Sequence, residues 1–261
     1  MKLLSIGSGF SALDVKVQKE EHVLALQQAF PYCIEHINIT PDYWICGDPH
    51  GYMDGFKYLL ETSDKNLDSM TILVPSFFTG SFELYRQYCG NTPLGRMKNG
   101  WLEFQTLLSD VSKKYKVVVF PATSTKYIKT SGTTEWNRFS GDKVVFGSVE
   151  FDGERISGDH YKWALENKLT AVVLPVCHYL GASQVRIAGF DYAGPRFYSN
   201  DARHPWDCEL QSNNKDKVLN VSLSILKAWL DLEDAHGMKI FSATNHANSL
   251  PNQFLEYLGE L

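Results

Sequence analysis

From Thr170 to Tyr192 the chain reads TAVVLPVCHYLGASQVRIAGFDY, and this stretch limits the fold more than any other. Val172, Val173, Val176, Cys177, Tyr179 and Leu180 recur at helical spacing, Gly181 suits the left-handed position that ends a helix, and Val185, Ile187 and Ala188 form a short apolar run. A buried helix, a tight turn and a buried strand make the second half of a β-α-β unit, which belongs in a parallel sheet covered on both faces. Gly189-Phe190-Asp191-Tyr192 follows, so a carboxylate and a phenol stand at the carboxyl end of that strand. Open α/β sheets bind ligands there, which makes Asp191 the first candidate site residue. Its competing assignment is a turn former ahead of Gly194-Pro195.

The same rhythm runs through the rest of the chain. Apolar runs at Lys2–Ile6, His22–Gln27, Asp42–Cys46, Thr71–Val74, Lys116–Phe120 and Met238–Ser242 read as strands. Helical spacing marks Tyr52–Glu61, Gly80–Tyr88, Asn99–Tyr115 and Asp216–His236, the last stopped by Gly237. Strands alternating with helices predict a doubly wound, mostly parallel Rossmann-like α/β sheet. Two irregular segments, about 123–157 and 193–214, interrupt it and read as lid insertions, with a strand-like run at Lys143–Phe151 that suits a hairpin arm. At 261 residues and 44% hydrophobic content, residues 1–261 suit one domain better than two.

A net charge of -5 gives no basic footprint for duplex nucleic acid, so nucleic acid is not the expected partner. The five cysteines, Cys33, Cys46, Cys89, Cys177 and Cys208, are odd in number and scattered. They suggest neither a disulfide framework nor a zinc cluster, and a reducing cytoplasm is the simplest location. No apolar run is long enough for a signal sequence or a membrane span, which predicts a soluble protein. A homo-oligomer is compatible with the composition, and the sequence does not fix the state.

The first strand runs into Gly7-Ser8-Gly9-Phe10-Ser11, where two glycines let backbone N–H groups approach a phosphate or a ribose. Ala12 stands where a full G-x-G-x-x-G would have its third glycine, so a plain strand-to-helix turn remains open. Asp48 follows the strand DYWICG and is either a ligand contact or the N-cap of the next helix. His178 lies inside an apolar helix and suits a core position; His22, His36 and His236 suit the surface; His50, His204 and His246 follow strand ends and stay candidates.

Four pieces together, GSGFSAL, PDYWICGDP, YLGASQVRIAGFDY and the tail MKIFSATNHANSLPNQF, resemble the bacterial sialyltransferases that use CMP-activated sialic acid. They are also similar to flagellin-glycosylation factors and to archaeal 6-hydroxymethylpterin diphosphokinases, which share a Rossmann-type core. The resemblance fades over about residues 76–167. In its sialyltransferase form it implies a metal-independent transfer with no cofactor. It assigns the cytidine nucleotide to Gly7, Ser8, Gly9, Gln27 and Asp48, with Asn245, Asn248 and Ser249 lying against it, and the departing phosphate to Tyr192 and Tyr198. Both tyrosines have the alternative of anchoring a loop. The chain departs from the pattern twice. Lys168-Leu169-Thr170 replaces Thr-Ser-Gly at the start of the central helix, which adds a cation where a phosphate can dock, so Lys168 and Thr170 join the binding set. The general-base histidine has no in-register match, and His204 is the nearest substitute, against its alternative as a surface residue.

No Asp-x-Asp occurs, so the usual metal clamp for a nucleotide diphosphate is missing from the sequence, and no metal ligand is assigned. The catalytic set is therefore Asp191, Tyr192, Tyr198 and His204. The expected partners are a cytidine-nucleotide sugar donor and a glycan or other hydroxyl acceptor. Two readings compete: a diphosphokinase-like transfer of pyrophosphate from ATP, with Asp48 and Asp191 holding Mg²⁺, and a non-catalytic nucleotide-binding module.

Overall fold

The computed structural model describes residues 1–47, 49–79, 82, 94–120, 122–124, 144–146, 149–151, 156–157, 161–163, 173–190, 197, 226, 230 and 233–244. Seven strands form one sheet: β1 (Lys2–Ile6), β2 (Glu21–Leu26), β3 (Tyr43–Ile45), β4 (Thr71–Pro75), β5 (Lys116–Phe120), β11 (Gln184–Ala188) and β12 (Lys239–Ser242). Their order is β12-β11-β1-β2-β3-β4-β5, and each neighbouring pair is parallel. The expected Rossmann-like α/β sheet is therefore present. From β1 the chain steps outward through four strands on one side, then returns to add β11 and β12 on the other. The order reverses at the β1–β11 seam, in register from Lys2↔Gln184 to Ile6↔Ala188.

The helices are α1 (Ala29–Ile37), α2 (Pro49–Glu61), α3 (Ser76–Thr79), α4 (Leu94–Ser112), α5 (Leu174–Tyr179) and α6 (Glu233–His236). Right-handed connections between strands that keep stepping the same way put their helices on one face. The contacts of α2 with both α1 and α4 agree with that. Between these helices and the sheet lies an aromatic core of Phe30, Trp44, Tyr52, Phe56, Phe78 and Phe104. Tyr52 and Phe56 stack at tilted angles, Trp44 meets Phe56 edge-on, and the Tyr52 hydroxyl donates to the carbonyl of Leu73. Gly55 lets α2 sit this close, since a Cβ there would lie 2.2 Å from the Trp44 ring. The opposite face is covered as well, because consecutive residues Leu3, Leu4, Ser5 and Ile6 of β1 are all fully buried.

Beneath the sheet an arginine bridges strands that are not neighbours. Arg186 of β11 reaches past β1 so that its Nη1 donates to both carboxylate oxygens of Glu21 at 3.2 and 2.9 Å and to the carbonyl of Lys16. Its Nη2 donates to the carbonyl of Ala243, beyond β12. The pair is desolvated, with the Glu21 side chain only 2% exposed, so its attraction is little screened.

Gly181 and Gly237 end helices with φ of +76° and +68°, as their positions in the sequence suggest. The segment read as irregular contains short strands. β7 (Val144–Phe146), β8 (Val149–Phe151) and β9 (Ile156–Ser157) form an antiparallel sheet, in which the run expected as a single hairpin arm, Lys143–Phe151, supplies two paired strands, and β6 (Ala122–Ser124) pairs in parallel with β10 (Tyr161–Trp163). Helix α1 has no counterpart in the sequence reading. Pro31 lies within it and Phe30 takes an extended φ/ψ of -84° and 132°, so the Phe-Pro pair masks the start of a helix that runs on to Ile37. Helix α2 begins at Pro49, ahead of the expected Tyr52, because proline fits a first helical turn. Helix α4 begins at Leu94 where Asn99 was the expected start.

Candidate functional site

The seam between β1 and β11 is a topological switch point, and the residues leaving these two strands are held together by their backbones. Gly7 N–H donates to Ala188 O at 2.8 Å and Gly9 N–H to Gly189 O at 2.7 Å. Gly189 N–H donates in turn to the buried Ser11 hydroxyl at 3.0 Å. A Cβ on Gly7 would lie 2.5 Å from Gly189 O, and one on Gly189 would lie 2.4 Å from Gly7 O. Gly189 also has a φ of +71°, which glycine tolerates and other residues avoid. Ala12 is fully buried, and its Cβ is 3.1 Å from that same position on Gly189. The alanine in place of a third glycine is therefore about the largest side chain this packing admits. Gly9 is extended, with φ -73° and ψ 160°, a backbone that any residue adopts.

Ser8 sits between the two glycines and is half-buried. Its carbonyl accepts from Phe197 N–H at 3.1 Å, while its own N–H and hydroxyl have no partner among the described residues. Those two groups are available to a ligand at the mouth of the seam.

On the other side of β1, Gln27 leaves β2 with a left-handed φ of 56°. Its side-chain Oε1 accepts from Gly47 N–H at 3.0 Å and from the Cys46 thiol at 3.4 Å, and its carbonyl accepts from Trp44 Nε1 at 3.0 Å. Gly47 must be glycine for this, since a Cβ there would meet Gln27 Nε2 at 2.4 Å. Gln27 therefore shapes the exit of β3, the turn that leads directly to Asp48. The Nε2 donors have no partner among the described residues. This structural task of Gln27 is the feature that sequence reasoning missed. No sequence pattern announces a side-chain amide bridging two strand exits.

The sheet order places side by side the strand ends that carry or precede candidate positions. Gly7–Gly9 follow β1, Gln27 follows β2, Asp48 follows Gly47 at the end of β3, Asp191 follows Phe190 at the end of β11, and Asn245 follows Thr244 after β12. These are the carboxyl ends of five adjacent strands. Asp48, Lys168, Thr170, Asp191, Tyr192, Tyr198, His204, Asn245, Asn248 and Ser249 themselves lie outside the described residues, as do the segments 80–81 and 83–93 and most of the expected C-terminal helix.

The cysteines near this framework are structural. Cys33, Cys46 and Cys177 are buried and form no disulfide. Burial pushes the Cys33 thiol up to about 12 and raises that of Cys177 further, so both are fully protonated at neutral pH and neither is a ready nucleophile. Among the described residues no group of three or more His, Cys, Asp or Glu side chains is arranged to hold a metal ion, and no helix is long and apolar enough to cross a membrane. His22 and His36 are exposed, as expected for surface histidines, and His22 faces Asp42 at 3.5 Å at the opposite, amino end of the strands. No family model, curated protein or solved structure matches the chain. The fold class is thus carried by the sheet itself, a parallel α/β sheet of Rossmann type.

Proposed function

We propose that this chain is a sialyltransferase-like glycosyltransferase, which takes a sugar such as a nonulosonic acid from a cytidine-nucleotide donor and passes it to an acceptor hydroxyl without a metal. One observation carries the reading. The four motifs that resemble those enzymes fall at β1, β3, β11 and β12, with Gln27 at the end of β2 among them, and the close Gly7–Gly189 contact lies where the strand order reverses. In this reading the Ser8 N–H and hydroxyl, with the Gln27 amide, meet the nucleotide. The acceptor oxygen forms a bond to the anomeric carbon as the bond from that carbon to the phosphate oxygen breaks. CMP then leaves with an added negative charge on its phosphate. Tyr192, Tyr198 and Lys168 supply donors for that charge, so a monophosphate leaving group can depart without a metal ion. His204 takes the proton lost by the acceptor hydroxyl, a task suited to a side chain that titrates near neutrality.

The test is a thermal-shift panel of nucleotides with and without EDTA. At about 100 times its dissociation constant CMP should add roughly 2.7 kcal/mol and survive chelation. Stronger stabilisation by ATP with Mg²⁺ would turn the assignment to pyrophosphate transfer. No shift with any nucleotide would remove the nucleotide site altogether, and binding without turnover would leave a nucleotide-binding module.

A further inference from the structure

The peptide unit between Ser8 and Gly9 is gripped at both ends by the chain that leaves β11. Its N–H, that of Gly9, donates to Gly189 O at 2.7 Å, and its carbonyl, that of Ser8, accepts from Phe197 N–H at 3.1 Å. Phe197 comes nine residues after Ala188, the end of β11, yet it is only 6% exposed. Its ring meets His36 in the last turn of α1 at 6.4 Å, edge to face, and the His36 ring stands against Tyr32 at 5.8 Å. A buried phenylalanine acts as an anchor for its own backbone, because returning its apolar area to water opposes its release. The backbone bond it carries ends on Ser8, whose N–H and hydroxyl have no partner among the described residues.

We propose that Phe197 is a positioning residue whose own burial couples to ligand binding at the β1 loop. This rests on the nucleotide reading above. With Phe197 seated, the Ser8–Gly9 peptide is fixed in plane and the Ser8 donors face the ligand in one orientation. With Phe197 released, only the Gly189 bond remains and the peptide is free to rock about it. A ligand that needs the seated form binds more weakly in proportion to the fraction seated, and by reciprocity its binding seats Phe197 more firmly.

Arg196 and Arg203 flank the anchor and give trypsin two sites from which seating can be read. The experiment measures the CMP dissociation constant by calorimetry, and tryptic cleavage after these two arginines with and without saturating CMP. In the wild-type chain CMP should slow both cleavages. If Phe197→Ala is seated about a tenth of the time, its CMP affinity falls about tenfold and the protection by CMP is lost. Phe197→Leu keeps an apolar anchor and should recover most of both. His36→Ala removes the ring's neighbour at an exposed position, spares the backbone bond, and should weaken CMP in the same direction. A purely structural role would lower the melting temperature and leave the CMP affinity and protection of the folded variants unchanged. That outcome in Phe197→Ala, or in His36→Ala should Phe197→Ala not fold, overturns the coupling while wild-type binding upholds the nucleotide site. Failure of the wild-type chain to bind CMP overturns both.

Discussion

Three glycine-to-alanine substitutions separate the two constraints that meet at the β1–β11 seam. Gly181 has a φ of +76° with nothing within 4 Å of an added Cβ, so Gly181→Ala isolates the conformational term. That term is about 1 kcal/mol, the cost of a left-handed backbone for a residue with a Cβ. Gly7 is not left-handed, but its Cβ would stand 2.5 Å from Gly189 O, well inside the 3.4 Å at which ordinary contact begins. Backbone must move to relieve this, at a cost of about 1–3 kcal/mol. Gly189 carries both terms, with a φ of +71° and a 2.4 Å approach to Gly7 O. Gly189→Ala should therefore cost roughly 3 kcal/mol, well above Gly181→Ala. The double variant Gly7→Ala/Gly189→Ala should cost less than the sum of the singles, since both relieve the same contact by the same separation of strands. Urea unfolding followed by circular dichroism gives the free energies by linear extrapolation. If Gly189→Ala is no more costly than Gly181→Ala, the strand exits are not in the close contact described. The site would then need another account.

The buried ion pair gives a second prediction. Glu21→Gln leaves the Arg186 guanidinium without its counter-charge in a desolvated position and should cost about 3–5 kcal/mol, whereas Glu21→Leu/Arg186→Met, which removes both charges, should cost less than either single change. Singles below about 1 kcal/mol would contradict the burial of the pair. A third concerns alkaline stability. The Cys33 thiol ionises near 9 when unfolded and near 12 when folded, so the unfolded chain gives up its proton first. The contribution is intact below pH 9 and declines by about 1.4 kcal/mol per pH unit from there to about 12. Comparing urea midpoints of the wild-type chain and Cys33→Ala between about pH 8 and 10.5 should show a shallower decline in the variant. Parallel declines would refute the assignment.

Much of the sheet was legible because its strands read as short apolar runs bounded by Gly, Pro or Asp, the central ones buried on both faces. Lys116–Phe120 matches β5 residue for residue, and Gly181 and Gly237 end their helices as expected. Helix α1 was not legible, because Phe30-Pro31 carries the signature of a break and the helix continues past it. The glycine loop was visible as a pattern, but the reason for its composition was not. Gly7 and Ala12 are small because of Gly189, a residue more than 170 positions away, and no local spacing encodes that contact. Gln27 entered the site through family resemblance alone, while its bonds to Gly47 and Cys46 depend on the side-by-side exits of β2 and β3. Arg186 gave no signal, because its partner Glu21 lies two strands away in the sheet and 165 residues away in the chain.

The reversal of strand order also orders events in time. β1 to β5 pair in the sequence in which they are made, each with the strand before it, but the second edge of β1 waits for β11, and Lys2 finds Gln184 only after 182 further residues. At roughly 5–20 residues per second that is an interval on the order of 10–40 s during which the future middle of the sheet is an open edge. Such an edge offers unpaired N–H and C=O groups to any neighbouring strand. The long-range closure also makes β1–β11 the slowest pairing to nucleate. The Gly7–Gly189 contact is completed by that closure, so a nascent chain brings these strand exits together only when β11 has docked.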